Sequence, residues 1–271
     1  MLTTPANPRS TASGAAEALP RLNRSLRHSY DKQAPRYDAQ RSLSINGRCF
    51  FDVAYRSIDA MLGPTDERTI HLDLPVGTGR FFFTLQERGR RHRMLGIDLS
   101  AGMIQTCQEQ RCLRQVAARA RPVQLTMGDA FRLPLADNSV DIVTSLRFFH
   151  LLPKQAWPIA LGEMRRVLRP GGFVIAELRN LFRGLVTGMI VERRDRWFRG
   201  GRGRSYLWPH QVRGLFRDWG RVEMRGAGLD GLGRLWNVAP APARRLHDVT
   251  RYWPWRFVAK EMLVKAYKPV R

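Results

Sequence analysis

Apolar and polar positions follow one rule between residues 70 and 178 of this 271-residue chain and a looser one on either side. Inside that window short apolar runs alternate with longer stretches of helical spacing. Strands are predicted near 70–75, 93–98, 122–128, 140–146 and 172–178. Helices are predicted near 79–90, 101–119 and 154–168, the last closed by Arg169-Pro170-Gly171-Gly172. Strands alternating with helices imply parallel βαβ units with right-handed crossovers, hence an α/β fold. Upstream, residues 50–62 carry the spacing of a helix packed on a sheet, ended by Gly63-Pro64. Downstream, the spacing predicts a helix over 180–198, a Gly/Arg loop over 198–204 and a helix from Pro209 to about Asp218. Strands follow near 220–226 and 256–267, separated by an excursion over 229–255.

The N-terminal segment has a different texture. Residues 1–25 are rich in Ala, Thr, Ser and Pro with Glu17 as the one acid, and read as a disordered leader; the acid-poor composition also fits a transit peptide. Then comes Tyr30-Asp-Lys-Gln-Ala-Pro-Arg-Tyr-Asp38, a Tyr-Asp pair repeated at a spacing of seven, which brings Tyr30 and Tyr37 to one face of a helix bent or started at Pro35. The expected organisation is a leader over 1–25 and one domain over 26–271, with a core at 65–178 and a lid with C-terminal strands at 179–271.

Composition narrows the class. No apolar run approaches the roughly 18 residues of a membrane span, and the N-terminus lacks the apolar core of a secretory signal. Three cysteines, Cys49, Cys107 and Cys112, make neither a disulfide framework nor a CxxC metal pair, which suits a reducing cytoplasm and predicts no metal. The formal net charge of +23 is uneven, because residues 179–271 hold 21 Lys/Arg against 7 Asp/Glu. Such a field favours anionic partners: nucleic acid, an anionic membrane surface touched peripherally, or an acidic substrate. The charge forms no compact basic block, and with 41 Arg to 5 Lys it is equally read as an Arg-rich surface.

The candidate chemistry sits at strand ends. His71-Leu-Asp-Leu-Pro-Val-Gly-Thr-Gly-Arg80 is a buried-strand pattern that ends in an acid and hands over through a Pro/Gly turn to a helix. Asp98 closes the next strand and Asp129 the third. One glycine turn and ordered strand-end acids outline a pocket for a nucleoside, since ligands of parallel sheets bind at the carboxyl ends of the strands. A nicotinamide fingerprint would want a small residue at position 82, where the chain has Phe82.

Four pieces in this order resemble the class I S-adenosylmethionine-dependent methyltransferases, in particular their broad small-molecule (type 11-like) group: Leu-Asp-Leu-Pro-Val-Gly-Thr-Gly at 72–79, Gly-Ile-Asp-Leu-Ser at 96–100, Gly-Asp-Ala-Phe-Arg-Leu-Pro at 128–134 with Asp137-Asn-Ser-Val-Asp-Ile-Val143, and Glu163-Met-Arg-Arg-Val-Leu-Arg-Pro-Gly-Gly172. The Tyr-Asp repeat is similar to that group's lead-in helix. The resemblance implies a Rossmann-like, doubly wound seven-stranded sheet, mostly parallel with an antiparallel C-terminal strand and helices on both faces, and S-adenosyl-L-methionine as cofactor. It implies that Asp73 holds the cofactor's amino group, Asp98 the ribose hydroxyls and Asp129 the adenine amine, with Ala130 and Phe131 beside the ring. Leu99 and Leu146 complete the expected cofactor wall. Gly77 and Gly79 are expected to admit the methionine part where a β-carbon would collide. Pro75 stands where the group usually has glycine and removes one backbone donor from the turn.

Methyl transfer is an in-line displacement that alignment and exclusion of water accelerate, with a general base needed only for an acceptor of high pKa. The stretch after the fourth strand offers Arg147 and His150 for acceptor chemistry, with His210 behind them. Base-flipping amino methyltransferases carry Asn/Asp-Pro-Pro-aromatic there, whereas this chain has Ser145-Leu-Arg-Phe-Phe149. Tyr30, Tyr37, Trp197 and Tyr206 are the expected acceptor contacts, and the apolar 180–210 segment with its arginines fits a small or lipophilic acceptor, anionic or lipid-linked. An RNA acceptor ranks lower because no recognition module is visible. A non-catalytic cofactor-binding regulator is the reading outside the enzyme class. The expected location is cytoplasmic, with room for peripheral membrane contact.

Overall fold

The computed structural model describes residues 8–42, 45–113, 123–180, 206–207, 209–229, 235, 238–250, 252 and 259–270. Apart from Asn180, which is in a strand, the helix expected over 180–198 and the Gly/Arg loop over 198–204, Trp197 included, lie outside them.

The strands are β1 (Ile70–Asp73), β2 (Arg93–Asp98), β3 (Gln124–Met127), β4 (Val140–Ser145), β5 (Leu168–Asn180), the two-residue β6 (Tyr206–Leu207), β7 (Val222–Ala227) and β8 (Glu261–Tyr267). They form one sheet in the order β3-β2-β1-β4-β5-β8-β7. The pairs from β3 to β5 are parallel, and β8 runs antiparallel to both β5 and β7. The seven-stranded mixed sheet is thus the one the resemblance implied. β6 adds a short eighth piece, pairing with Arg179–Asn180 beyond the end of β4.

The period-two alternation of each strand divides the core between two faces. Leu72, Val143, Val174, Ala176, Val264 and Ala266 point to one face. Helix α6 (Trp157–Val167) covers it with Trp157, Ala160, Leu161 and Met164, and the short helix α7 (Pro209–Leu215) with Val212. On the other face lie Met94, Ile142, Ile175 and Leu263, covered by α3 (Ile45–Leu62), α4 (Arg80–Glu87) and α5 (Ala101–Leu113). Helix α4 alone buries Phe81, Phe82, Phe83 and Leu85, each contributing about 1.5–3 kcal/mol of transfer free energy. A last helix, α8 (Pro240–Val249), precedes β8.

The N-terminal segment departs from the expected leader. Helix α1 spans Pro8–Gln33, and Leu19, Leu22 and Leu26, spaced three and four apart, pack against the first core face. That spacing makes an apolar stripe long enough to hold a helix on the sheet, a signal that composition averaged over residues 1–25 conceals. Pro35 lies in a 3-10 turn, Ala34–Arg36, which leads into α2 (Tyr37–Ser42).

Two of the recurring sequence pieces turn out to be fasteners. Arg166 on α6 donates to the carbonyls of Leu133 and Leu135, to Asp137 at 2.7 Å and to Glu163 at 2.8 Å, while Glu163 accepts the Leu133 amide. Hydrogen bonding to Glu163 and Asp137 holds the Arg166 pKa above its ordinary value. The loop after Asp129 is therefore pinned to α6. Asp141 likewise joins the Ile70 amide to Arg169.

Candidate functional site

A cavity of about 1040 Å³, its open mouth included, lies at the carboxyl ends of β1, β2 and β4. It is walled by the turn after β1, the loops after β2, β3 and β4, and by α1, α2 and α3. Asp73, Pro75, Gly77, Asp98, Leu99, Asp129, Ala130, Phe131, Leu146, Arg147, Tyr30 and Tyr37 all line it. Dispersed over more than a hundred positions, these residues meet because parallel strands put their ends on one edge.

The turn after β1 is set by its own backbone. Asp73 ends the strand, the Leu74–Pro75 bond is cis, and the Val76 amide donates to the Ile97 carbonyl at 2.9 Å. Gly77 has a φ of +55°, and a β-carbon there would meet nothing within 4 Å. Its missing side chain therefore leaves room on the cavity side. Gly79 differs from the expectation. It does not line the cavity, and a β-carbon on it would run into Cys107 Sγ and lie 2.7 Å from the Phe83 ring. Glycine is required at 79 by a φ of +77° at the start of α4 and by tight packing, not by ligand approach.

Of the carboxylates that line the cavity, Asp73 and Asp98 are buried. Asp98 accepts the Gly77 amide on one oxygen and the Ser100 amide on the other, each at 2.9 Å. Burial pushes its carboxyl up to about 6, against the pull of those amides. Burial pushes Asp73 up to about 7; the Thr144 hydroxyl, 2.7 Å away, opposes the rise and Asp98 adds to it. Among the described residues no cation acts to lower either acid. A pair of buried acids held at this cost is complementary to a ligand that brings positive charge and hydroxyl donors.

Asp129 caps its own loop by accepting the Phe131 amide at 2.9 Å, and its other oxygen accepts from Asn23 of α1 at 2.7 Å. Asn23 is one of several residues that sequence reasoning missed. Arg27 donates to the Leu99 carbonyl, and Asp31 accepts from Ser100 Oγ at 2.5 Å and from the Gly102 amide at the start of α5. Asp38, quoted in the Tyr-Asp repeat but given no role, accepts from Thr78 at 2.9 Å and from Arg80 at 2.8 Å. The repeat thus fastens the lead-in segment to the glycine turn. Its two tyrosine rings lie 6.2 Å apart, and both face the cavity.

Beyond the acids the cavity continues over Tyr30, Tyr37, Phe51, Tyr55, Phe81, Phe148 and Leu151 to Arg147. Arg147 has a φ of +57°, a left-handed conformation that costs energy for a residue with a β-carbon. Its guanidinium lies 3.7 Å from Glu177 and 3.8 Å from Glu261, both buried on the sheet. Burial works to lower the Arg147 pKa, and the two carboxylates more than reverse it. For Glu177 the available signal was an acid at the end of the apolar run Phe173–Ala176; Glu261 opens its strand and gave none.

His150 does not join this group. It sits in a 3-10 turn, Phe149–Leu151, in which Phe149 is buried against Trp157; the flanking Phe148 and Leu151 line the cavity and His150 does not. His210 is exposed on α7. The backbone of Tyr206 lies in β6, at the strand ends; its side chain is outside the described residues. Among the described residues no cluster of His, Cys, Asp or Glu is arranged to hold a metal ion, and no helix is long and apolar enough to cross a membrane.

Comparison with known proteins bears on this arrangement. Residues 72–176 match the model of a family described as a methyltransferase domain. Over 105 residues the chain is 38% identical to demethylmenaquinone methyltransferase of Staphylococcus aureus, a match covering 38% of this chain and 40% of that protein. The chain thus spans about two fifths of the length of the curated relatives it matches. Among solved structures, a SAM-dependent methyltransferase from Thermotoga maritima superposes with a TM-score of 0.57 at 16% identity, covering 89% of this chain and 99% of the other. Phosphoethanolamine N-methyltransferase 2 of Haemonchus contortus, in complex with phosphomonomethylethanolamine and S-adenosylhomocysteine, does so with 0.53 at 16% identity, over 80% of this chain and 52% of the other. At these identities the structural likeness speaks for the fold.

Proposed function

We propose, from the premise that residues 72–176 belong to the methyltransferase-domain family, that this chain transfers the methyl group of S-adenosylmethionine to a small lipophilic acceptor. The observation that carries the reading is the pair of buried acids, Asp73 and Asp98, flanking the open Gly77 turn in one cavity. Bound there, the cofactor supplies an electrophilic methyl on a sulfonium. In this reading Asp73 takes the cofactor's ammonium. Asp98 accepts both ribose hydroxyls with the lone pairs its two amide partners leave free. Asp129 accepts the adenine amine beside its bond to Asn23, with Ala130, Phe131, Leu99 and Leu146 around the nucleoside. Gly77 gives the amino-acid part room, and Pro75 stiffens the turn below it.

The aromatic and aliphatic wall from Tyr30 to Leu151 excludes water and holds an apolar acceptor against the methyl. Arg147, aimed by Glu177 and Glu261, orients an electron-rich or anionic oxygen of that acceptor. No proton is assigned to His150, because it stands off the cavity wall. An open acceptor chamber supports turnover over a purely regulatory role. The relative's printed substrate, a demethylmenaquinone, supports the lipophilic class.

A lipophilic acceptor is drawn from a membrane, and α8 offers a surface for that. Val238, Leu246, Val249 and Tyr252 are exposed around it, with Arg244 and Arg245 on the same helix. Apolar side chains among arginines suit shallow docking on anionic lipid.

Calorimetric titration of S-adenosylhomocysteine into the wild type and Asp98→Ala tests the cofactor half: micromolar binding, on the order of −8 kcal/mol, should collapse in the variant. Labelled S-adenosylmethionine with lipid extract or with total RNA then tests the acceptor half. Label entering RNA and not lipid would sink the lipophilic reading.

A further inference from the structure

Five hydrogen bonds run in one line from the outer end of the sheet to the cavity. Arg90 Nη1 lies 3.3 Å from Thr65 Oγ1, and Thr65 Oγ1 lies 3.1 Å from His92 Nδ1. His92 Nε2 is 3.0 Å from His71 Nδ1, His71 Nε2 is 3.0 Å from Thr144 Oγ1, and Thr144 Oγ1 is 2.7 Å from Asp73. The ends fix every proton between them, because a guanidinium only donates and a carboxylate only accepts. Thr144 has one hydroxyl proton; having given it to Asp73, its oxygen accepts from His71 Nε2–H. A neutral His71 then has a bare Nδ1, which accepts from His92 Nε2–H. The bare Nδ1 of His92 accepts the Thr65 hydroxyl, whose oxygen accepts from Arg90. All five donors point towards Asp73.

Both imidazoles are neutral for a physical reason. Burial holds His71 well below the usual histidine range, with His92 and Arg90 adding to it. Burial and Arg90 lower His92 to about 4, against the opposing charge of Asp59. The groups facing Asp73 are Asp98 from β2, Tyr55 from α3 and Cys107 from α5, each pushed up first by burial; amide donors oppose the rise at Asp98, the Arg80 charge opposes it at Tyr55, and Asp73 and Asp98 add to it at Cys107. The Thr144 hydroxyl is the group that opposes burial at Asp73. A protonated Asp73 can donate to Thr144 instead, so the chain then loses the acceptor-only end that fixes its direction.

We propose that His71 and His92 are positioning residues that lock the Thr144 hydroxyl as a donor to Asp73 and so keep that carboxylate ionised for the cationic end of the cofactor. The proposal rests on the reading of Asp73 as a cofactor residue. Neither imidazole lines the cavity, so their effect on binding runs through Thr144. The dipoles of such a chain reinforce one another, which makes its inner bond stronger than an isolated hydroxyl–carboxylate contact.

The test is calorimetric titration of S-adenosylhomocysteine between pH 5.5 and 8 into the wild type, His71→Phe and His71→Gln. Phenylalanine keeps a ring and removes both ring nitrogens, whereas glutamine retains a donor and an acceptor. Binding by His71→Phe is expected to be about 3–10-fold weaker near pH 6.5, the span of one modest hydrogen bond, and close to wild type at pH 8, with glutamine restoring part of the difference. An equal loss at every pH would mean a packing role only and would overturn the proposal. Should His71→Phe not fold, nitrogen-15 NMR of the wild type decides: both histidines carry their proton on Nε2, and an Nδ1–H form of His71 refutes the chain. No binding by the wild type at any pH would instead defeat the cofactor reading, while the tautomer measurement still reports on the chain.

Discussion

Cofactor binding to this site should expel protons. In the free protein Asp73 titrates at about 7 and Asp98 at about 6, both raised by burial. If the ligand's ammonium and hydroxyls require both as carboxylates, the complex forms from the doubly ionised state alone. At pH 6.5 the two free acids together carry about one proton, which binding must release; at pH 8 they carry about 0.1. Integrated over the interval, the affinity at pH 5.5 should be about 100-fold weaker than at pH 8, or about 3 kcal/mol. The ligand's own amino-acid charges hold steady over the interval, so the dependence belongs to the protein. Titration of S-adenosylhomocysteine at pH 6.5 in two buffers of different ionisation enthalpy counts the protons directly. Asp73→Asn should reduce the pH effect on any remaining affinity to the roughly 4-fold share of Asp98. An affinity flat from pH 5.5 to 8, or proton uptake in place of release, would refute the argument from buried acids.

The sign for folding runs the other way. A carboxyl whose folded pKa is raised above the unfolded value stabilises the fold while protonated, so this contribution is lost as pH rises from about 4 through about 7. For Asp73 the loss amounts to about 4 kcal/mol in the ligand-free protein. Saturating ligand should restore it, which makes the ligand-induced gain in melting temperature larger at pH 8 than at pH 5.5.

The remaining expectations separate residues that share a motif. Gly79→Ala should cost about 2–4 kcal/mol in urea unfolding through a positive φ and collision with Cys107 and Phe83. Gly77→Ala should cost about 1–2 kcal/mol, the left-handed backbone alone, yet weaken S-adenosylhomocysteine binding more than its effect on stability would suggest; equal behaviour of the two variants would refute the assignment. Arg147→Met leaves Glu177 and Glu261 buried without its charge and should destabilise by about 3 kcal/mol, less at low pH where the glutamates take up protons, as urea unfolding at pH 8 and pH 5 would report. Leu246→Asp with Val249→Asp should reduce co-sedimentation with vesicles rich in anionic lipid while leaving cofactor affinity unchanged; unchanged sedimentation removes α8 from the docking surface.

Much of the sheet was legible because it obeys local rules. β2 and β4 begin where alternation predicts, and the last two strands appear near Val222–Ala227 and Glu261–Tyr267. The strand-end acids were legible because topology turns strand order into a shared edge. Less was legible where a residue's partner lies far along the chain. Asn23 meets Asp129 across 106 positions and Asp38 meets Arg80 across 42, pairings that no window of sequence displays. Gly77 and Gly79 look alike in sequence, and only the atoms around them show that one opens a cavity and the other closes a packing gap. His150 was drawn to the site by its place after β4, but a 3-10 turn is tight enough to send neighbouring side chains in different directions.

Those long-range contacts change what the Tyr-Asp repeat means. A helix edge held only by apolar packing would leave the cavity mouth free to open. Here α1 and α2 are instead tied by polar bonds to three separate loops: Asn23 of α1 to the loop after β3, Arg27 and Asp31 of α1 to the one after β2, and Asp38 of α2 to the turn after β1. Each bond lands on a segment that itself borders the proposed nucleoside position. A ligand that re-forms the donors on Asp129 and Asp98 would compete with some of these ties and reinforce others, so binding and the docking of α1 share one free energy. Cutting the tie that touches no proposed ligand group, Asp38, isolates that coupling. Asp38→Ala removes the bonds to Thr78 and Arg80, so it should speed S-adenosylhomocysteine dissociation and hasten proteolysis within residues 30–42, while saturating ligand returns the segment to protection. Proteolysis that ligand does not slow would mean that α1 and the cavity act independently.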